Sequence, residues 1–163
     1  MRVQVDLTRK IRNSFPLASP VRIVGQVIKG YGRGSKLLGM PTANLPADDY
    51  KEELQGMEMG VYIGYANVDG GPIYKTVLGI GDNPQFKNKT KTIEPYLLHE
   101  FPEDFYGSEL RLVIVGFTRP YLSFSSIQEL KDTMHNDVKT GRETLDDPEY
   151  EKYSNDPFLL KSE

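Results

Sequence analysis

The chain has 163 residues, 38% of them hydrophobic and 26% charged, and a net charge of −3, which suits one soluble domain with a single sizeable core. It contains no cysteine and two histidines, which excludes disulfides, thiolate chemistry and a multi-histidine metal centre. The acidic balance excludes a protein held on nucleic acid by phosphate neutralisation, and no apolar run reaches the ~18 residues of a membrane span. In chain order, residues 1–20 carry few apolar side chains and two prolines, Pro16 and Pro20, and are expected to lie as an arm across the domain. Arg2, Arg9, Lys10 and Arg12 resemble a transit peptide in charge, but Asp6 and the shortness of the segment count against one. From Val21, VRIVGQVIKG alternates with period two and predicts a strand. A glycine-rich cationic loop follows and closes on Pro41-Thr42-Ala43-Asn44, and residues 47–57 form an acidic connection.

GVYIGYANVD (60–69) and PIYKTVLGIGD (72–82) flank Gly70-Gly71 and predict a β-hairpin. NPQFKNKTK (83–91) is a second basic loop. TIEPYLLHEF (92–101) is a further strand, with Pro95 at an edge or a bulge because it lacks a backbone donor. Residues 110–118, LRLVIVGFT, are the most apolar run and are expected at the centre of the sheet. Only then does a helical period appear, with Ile127, Leu130, Met134 and Val138 on one apolar stripe. Ser126 and Glu129 form a capping-box pair at its start, and Gly141 is its expected stop. The tail, 143–163, is expected to pack as a short helix and an arm. Five or six strands followed by one helix indicate a single mainly β domain, an antiparallel sheet closed as a barrel with a helix against it.

The residues that could carry chemistry fall in few places. In KGYGRGSKLLGMPTAN (29–44), glycines let backbone N–H groups converge on an anion, and Thr42 and Asn44 present oxygens on one side of an extended chain. The composition leaves open whether this is a nucleotide cradle with a hard divalent cation or an ordinary surface loop. It matches neither the Walker pattern nor G-x-G-x-x-G, where Ser35 stands in the third glycine's place. Glu94, between Ile93 and Pro95, is a candidate general base or a plain surface carboxylate. His99 reads as a hydrogen-bonded strand residue, Arg119 as an anion clamp or a carbonyl cap, and Phe124 as a core residue. No serine-hydrolase elbow occurs.

Several stretches together resemble the riboflavin kinases: GQVIKGYGRGSKLLGMPTANLP (25–46), GVYIGYANV (60–68), IGDNPQFKNKTKTIEPYLLHEF (80–101) and DFYGSELRLVIVGFTRP (104–120), with the helix entered through Phe124. The resemblance covers residues 21–142 and is to the monofunctional kind. It implies a six-stranded, Greek-key-like closed barrel with one C-terminal helix, and transfer of the γ-phosphoryl of ATP to riboflavin. It implies Glu94 as the catalytic carboxylate and Thr42 and Asn44 as ligands of magnesium, zinc or manganese held with ATP. Gly30, Lys36, Leu97, His99 and Tyr106 would line the ATP site, and Arg119, Leu122 and Phe124 the flavin site, with Leu122 at a position where other members carry a polar residue. A cytoplasmic monomer with small-molecule partners, and neither nucleic acid nor membrane, is the corresponding expectation. A flavin- or nucleotide-binding barrel without catalysis, or a kinase for another polyol-bearing cofactor, is the alternative.

Overall fold

Period-two alternation assigns each strand one face toward a core, and five strands are built this way: β1 (Phe15–Gln26), β2 (Gly60–Val68), β3 (Tyr74–Asp82), β4 (Lys91–Leu97) and β5 (Glu109–Pro120). The computed structural model describes residues 5–28, 44–45, 50, 52–82, 91–99, 107–120 and 122–160. The strands are hydrogen-bonded in the order β1-β5-β2-β3-β4, and every neighbouring pair is antiparallel. The apolar run 110–118 does sit between two partners, β1 and β2.

Three expectations about the strands need correction. The arm is shorter than expected, because residues from Phe15 onward already belong to β1, with a register slip between Pro16 and Val21 that absorbs the prolines. The hairpin turn is centred on Asp69-Gly70, one residue before Gly70-Gly71. Both central residues have positive φ (51° and 71°), and the Gly71 N–H closes the turn on the Val68 carbonyl at 2.9 Å, while the first strand pair beyond it is Ala66 with Tyr74. The sheet is an open five-stranded ladder among the described residues, so closure and a sixth strand are not established. Two isolated antiparallel bridges, Ile28–Asn44 and Leu45–Ile93, set residues 44–45 between the end of β1 and the outer edge of β4.

The sheet buries both faces. Ile23, Tyr62, Leu78, Ile80, Ile93, Leu97, Leu112 and Ile114 fill the inner core. The outer face presents Val61, Ile63, Tyr65, Val77, Val113 and Val115, and the C-terminal segment covers part of it with Leu145, Tyr150 and Leu159. Burying side chains of this size is worth about 1.5–3 kcal/mol each. Polar groups fix the placement: the Tyr65 hydroxyl donates to the Leu145 carbonyl (2.8 Å), Ser14 and Tyr150 share a buried hydroxyl pair (2.6 Å), and Arg22 holds Asp156 (2.7 Å).

The helical stripe forms α1 (Ile127–Thr144), followed by one-turn helices α2 (Pro148–Glu151) and α3 (Pro157–Leu160). Ser126 caps α1 as expected, accepting from the Glu129 N–H. The reciprocal half of the capping box falls on Ser125, whose hydroxyl donates to Glu129 Oε2 at 2.5 Å. Gly141 does not stop the helix, which runs on to Thr144. It is instead a point of close approach to the sheet: a Cβ there would stand 2.5 Å from Val77 Cγ2 and 3.2 Å from Ile63 Cγ2. No helix of the described residues is long and apolar enough to cross a membrane.

Candidate functional site

Pairing registers carry residues distant in sequence onto one transverse row of the sheet. Arg119 on β5 pairs with Val61 on β2, Val61 with Gly79 on β3, and Gly79 with Glu94 on β4. The Leu45–Ile93 bridge, continued by one residue in its antiparallel sense, sets Asn44 beside Glu94. Three inter-strand steps of about 4.8 Å separate Arg119 from Glu94, so the row spans roughly 14 Å between these two charged residues.

Arg119 reaches this row through a bulge. Val61 and Tyr62 pair with Arg119 and Phe117, so Thr118 is an extra residue on β5, and its hydroxyl donates to the Val61 carbonyl at 3.0 Å. Strict alternation would give residues 117 and 119 the same face. The extra residue sends Phe117 into the inner core and Arg119 to the outer face, as bulges beside binding sites commonly do.

Above the row lies a cavity of ≈ 270 Å³. Its floor is Val61, Val77, Gly79, Glu94, Tyr96 and Arg119, its roof Leu130, Met134, Asp137 and Val138 of α1, and its side Leu122 and Phe124. The apolar stripe of the helix is therefore in large part the ceiling of a cleft. That ceiling explains why Leu130, Met134 and Val138 are only half-buried and why Ile127, beyond it, is exposed. A largely apolar slot between a sheet and a helix, with a carboxylate at one end and a guanidinium at the other, suits a planar ring system bearing polar edges.

Arg119 is held in place. Its Nε and Nη2 bond to the two carboxylate oxygens of Asp137 (2.9 and 2.6 Å), and Nη1 donates to the Pro120 carbonyl (3.1 Å). The pair is largely withdrawn from water, with side chains 21% and 11% exposed. Sequence reasoning passed over Asp137, although an acid three residues after Met134 and seven after Leu130 breaks the helix's apolar face. It also passed over Tyr96, two residues along β4 from Glu94 on the same face.

The expected flavin residues Arg119, Leu122 and Phe124 and the expected catalytic Glu94 all line this one cavity. Leu97 and His99 do not line it: Leu97 is fully buried in the inner core, and His99 is exposed and stacks on Tyr74 with ring centroids 4.2 Å apart. Gly30, Lys36, Thr42 and Tyr106, together with the loop residues 29–43 and 83–90, lie outside the described residues. Asn44 is buried, and its carbonyl accepts from the Ile28 N–H at 2.8 Å. No group of three His, Cys, Asp or Glu residues that could hold a metal occurs among the described residues. A neutral carboxamide beside a single carboxylate fits a hard cation that arrives with anionic ligands of its own.

Comparison with known proteins gives a consistent result. The riboflavin kinase (Flavokinase) family model matches residues 17–145. A bifunctional riboflavin kinase/FMN phosphatase of Arabidopsis thaliana is 52% identical over 151 residues, 93% of this chain; the chain spans 40% of that relative's length. The human riboflavin kinase is 41% identical over 138 residues, covering 85% of this chain and 89% of the human one. The crystal structure of riboflavin kinase from Trypanosoma brucei superposes with a TM-score of 0.71 at 34% identity, over 88% of this chain and 91% of that one.

Proposed function

Because this chain belongs to the riboflavin kinase family, we propose that it transfers the γ-phosphoryl group of ATP to the 5′-hydroxyl of riboflavin, giving FMN and ADP. The observation that carries this reading is the transverse row, with Glu94 and Arg119 at opposite ends of one slot and Asn44 beside Glu94. The isoalloxazine ring lies between the sheet and α1, with its polar edge toward Arg119. The ribityl chain then runs toward Glu94, where its terminal hydroxyl meets the nucleotide.

In phosphoryl transfer the transition state is loose, so alignment and charge neutralisation outweigh early proton removal. Glu94 orients the 5′-hydroxyl and accepts its proton late in the reaction. Arg119, fixed by Asp137, and Phe124 hold the flavin. Asn44 and Thr42 would supply neutral oxygens for a divalent cation (magnesium, zinc or manganese), whose charge would offset that of the phosphates when it is bound with ATP. Gly30 and Lys36 cradle the phosphates in this reading, with Leu97, His99 and Tyr106 on the nucleotide side. The two bridges through residues 44–45 support a closed barrel in which that segment is the sixth strand. A cytoplasmic monomer acting on small molecules completes the proposal.

The test is direct. The protein is incubated with riboflavin and MgATP, with other nucleotides in parallel, and FMN is followed by chromatography. Stoichiometric FMN and ADP support the reading. Quenching of flavin fluorescence without FMN establishes a binding module instead.

A further inference from the structure

Gly79 is a glycine in the interior of a strand, where the residue ordinarily weakens the sheet. Three physical reasons keep a glycine in such a place: a positive φ, a protein atom that leaves no room for a Cβ, or a close approach by something that is not protein. The first does not hold, because the described glycines with positive φ are Gly56, Gly70 and Gly107. The second does not hold either, since a Cβ built on Gly79 meets nothing within 4 Å among the described residues. Elsewhere in the molecule crowding is the reason: at Gly64 a Cβ would stand 2.0 Å from the Val113 carbonyl oxygen. Gly79 alone of these lines the cavity, between Val61 and Glu94 on the transverse row.

From these facts we infer that Gly79 is a specificity-determining residue: its bare backbone is the stretch of floor over which the flavin passes from ring to ribityl chain. The inference rests on the proposed riboflavin kinase reading and adds to it a steric determinant for the acceptor substrate. A side chain at this position points into the open slot between the floor and α1. Alanine narrows the slot and valine narrows it further. The nucleotide, approaching from the far side of Glu94 and Asn44, does not cross this rung.

The experiment compares wild type, Gly79→Ala and Gly79→Val. It reads steady-state KM for riboflavin and for ATP, FMN affinity by fluorescence quenching, and thermal melting. Overpacking of a fitted site leads us to expect KM for riboflavin and Kd for FMN to rise on the order of tenfold for alanine and a hundredfold for valine. KM for ATP stays within about twofold, a difference too small to register against a tenfold change, and melting is unchanged or raised because both residues suit a strand better than glycine. Wild-type flavin affinity in Gly79→Val overturns the inference while leaving the kinase reading intact. Equal rises in both KM values, or a lowered melting temperature in Gly79→Ala, also overturn it, since either marks a structural role. A wild-type protein that neither binds FMN nor makes it overturns the inference and the kinase reading together, whereas FMN binding without turnover overturns the kinase reading alone.

Discussion

Arg119 and Asp137 meet in a two-pronged ion pair, at 2.9 and 2.6 Å, that joins the end of β5 to the middle of α1. One contact therefore both aims the guanidinium and ties the roof of the slot to its floor. Removing one partner leaves a partly buried charge unmatched, which costs about 1–3 kcal/mol after allowing for the remaining exposure. Asp137→Ala is expected to lower the melting temperature and to raise KM for riboflavin roughly tenfold, leaving KM for ATP unmoved. Arg119→Lys is expected to lose flavin affinity with a smaller loss of stability, because an ammonium cannot keep both parallel bonds. Steady-state kinetics beside thermal melts check this, and parallel rises in both KM values would refute it.

Glu94→Gln keeps the shape of the slot and removes the proton acceptor. A fall in kcat of about 10²–10⁴-fold is expected, the usual worth of general-base help. FMN binding, read by fluorescence quenching, should persist. A variant with near-normal kcat would remove Glu94 from the mechanism.

Asn44→Ala deletes a neutral oxygen beside Glu94. The magnesium concentration for half-maximal rate and KM for ATP are expected to rise together, with KM for riboflavin little changed. Titrating magnesium at fixed ATP measures this, and an unchanged magnesium curve would show that Asn44 holds no metal.

Gly141→Ala tests how tightly α1 is seated. In an unobstructed helix the change stabilises by roughly 0.5–1 kcal/mol. Here the added Cβ would stand 2.5 Å from Val77 Cγ2, and the expected sign is reversed, a loss of about 1–3 kcal/mol. Adding Val77→Ala vacates the space, so the double variant is expected to recover much of the loss in denaturant unfolding. Simple additivity of the two losses would count against the packing explanation.

Asp156 carries a pH dependence. The Arg22 guanidinium bonds to both its oxygens (2.7 and 3.0 Å) and outweighs partial burial, so its carboxyl is held below the usual range, helped by the Phe158 N–H (3.1 Å). Its folded-state pKa is below the ~3.9 of an unfolded chain. The stabilisation is therefore fully present above about pH 4 and is lost as pH falls through the folded value. Asp156→Asn is expected to cost about 1–2 kcal/mol at pH 7, a drop of several degrees in melting temperature, and to flatten the acid limb of stability. Melting curves from pH 7 to pH 3 check this; an unaltered acid limb would exclude Asp156 as its source.

What the sequence made legible was local. Alternation in 60–68 and 74–82 gave a hairpin, the stripe from Leu130 to Val138 gave a helix, and the setting of Glu94 between apolar neighbours marked a carboxylate of interest. What it hid depended on register. Nothing in the spacing of residues 44, 79, 94 and 119 says that they share a row, because that follows from hydrogen-bond pairing and from one extra residue at Thr118. The same stripe that marks a helix cannot tell whether it faces a packed core or a slot. Gly141 looked like a stop because glycine commonly ends helices, and only the proximity of Val77 gives the real reason. The outer core of Leu145, Tyr150 and Leu159 is nonlocal, and its residues show no period.

The transverse row also bears on how the molecule acquires function during synthesis. Its members come from residues 44 to 119 and its roof from α1, and the outer face of the sheet is packed by side chains as late as Leu159. The slot is therefore complete only once α1 lies over the finished sheet. Binding and global folding are coupled: a ligand at a hundred times its Kd should protect the whole domain by about 2.7 kcal/mol, and hydrogen exchange in strands far from the ligand should slow along with those that touch it.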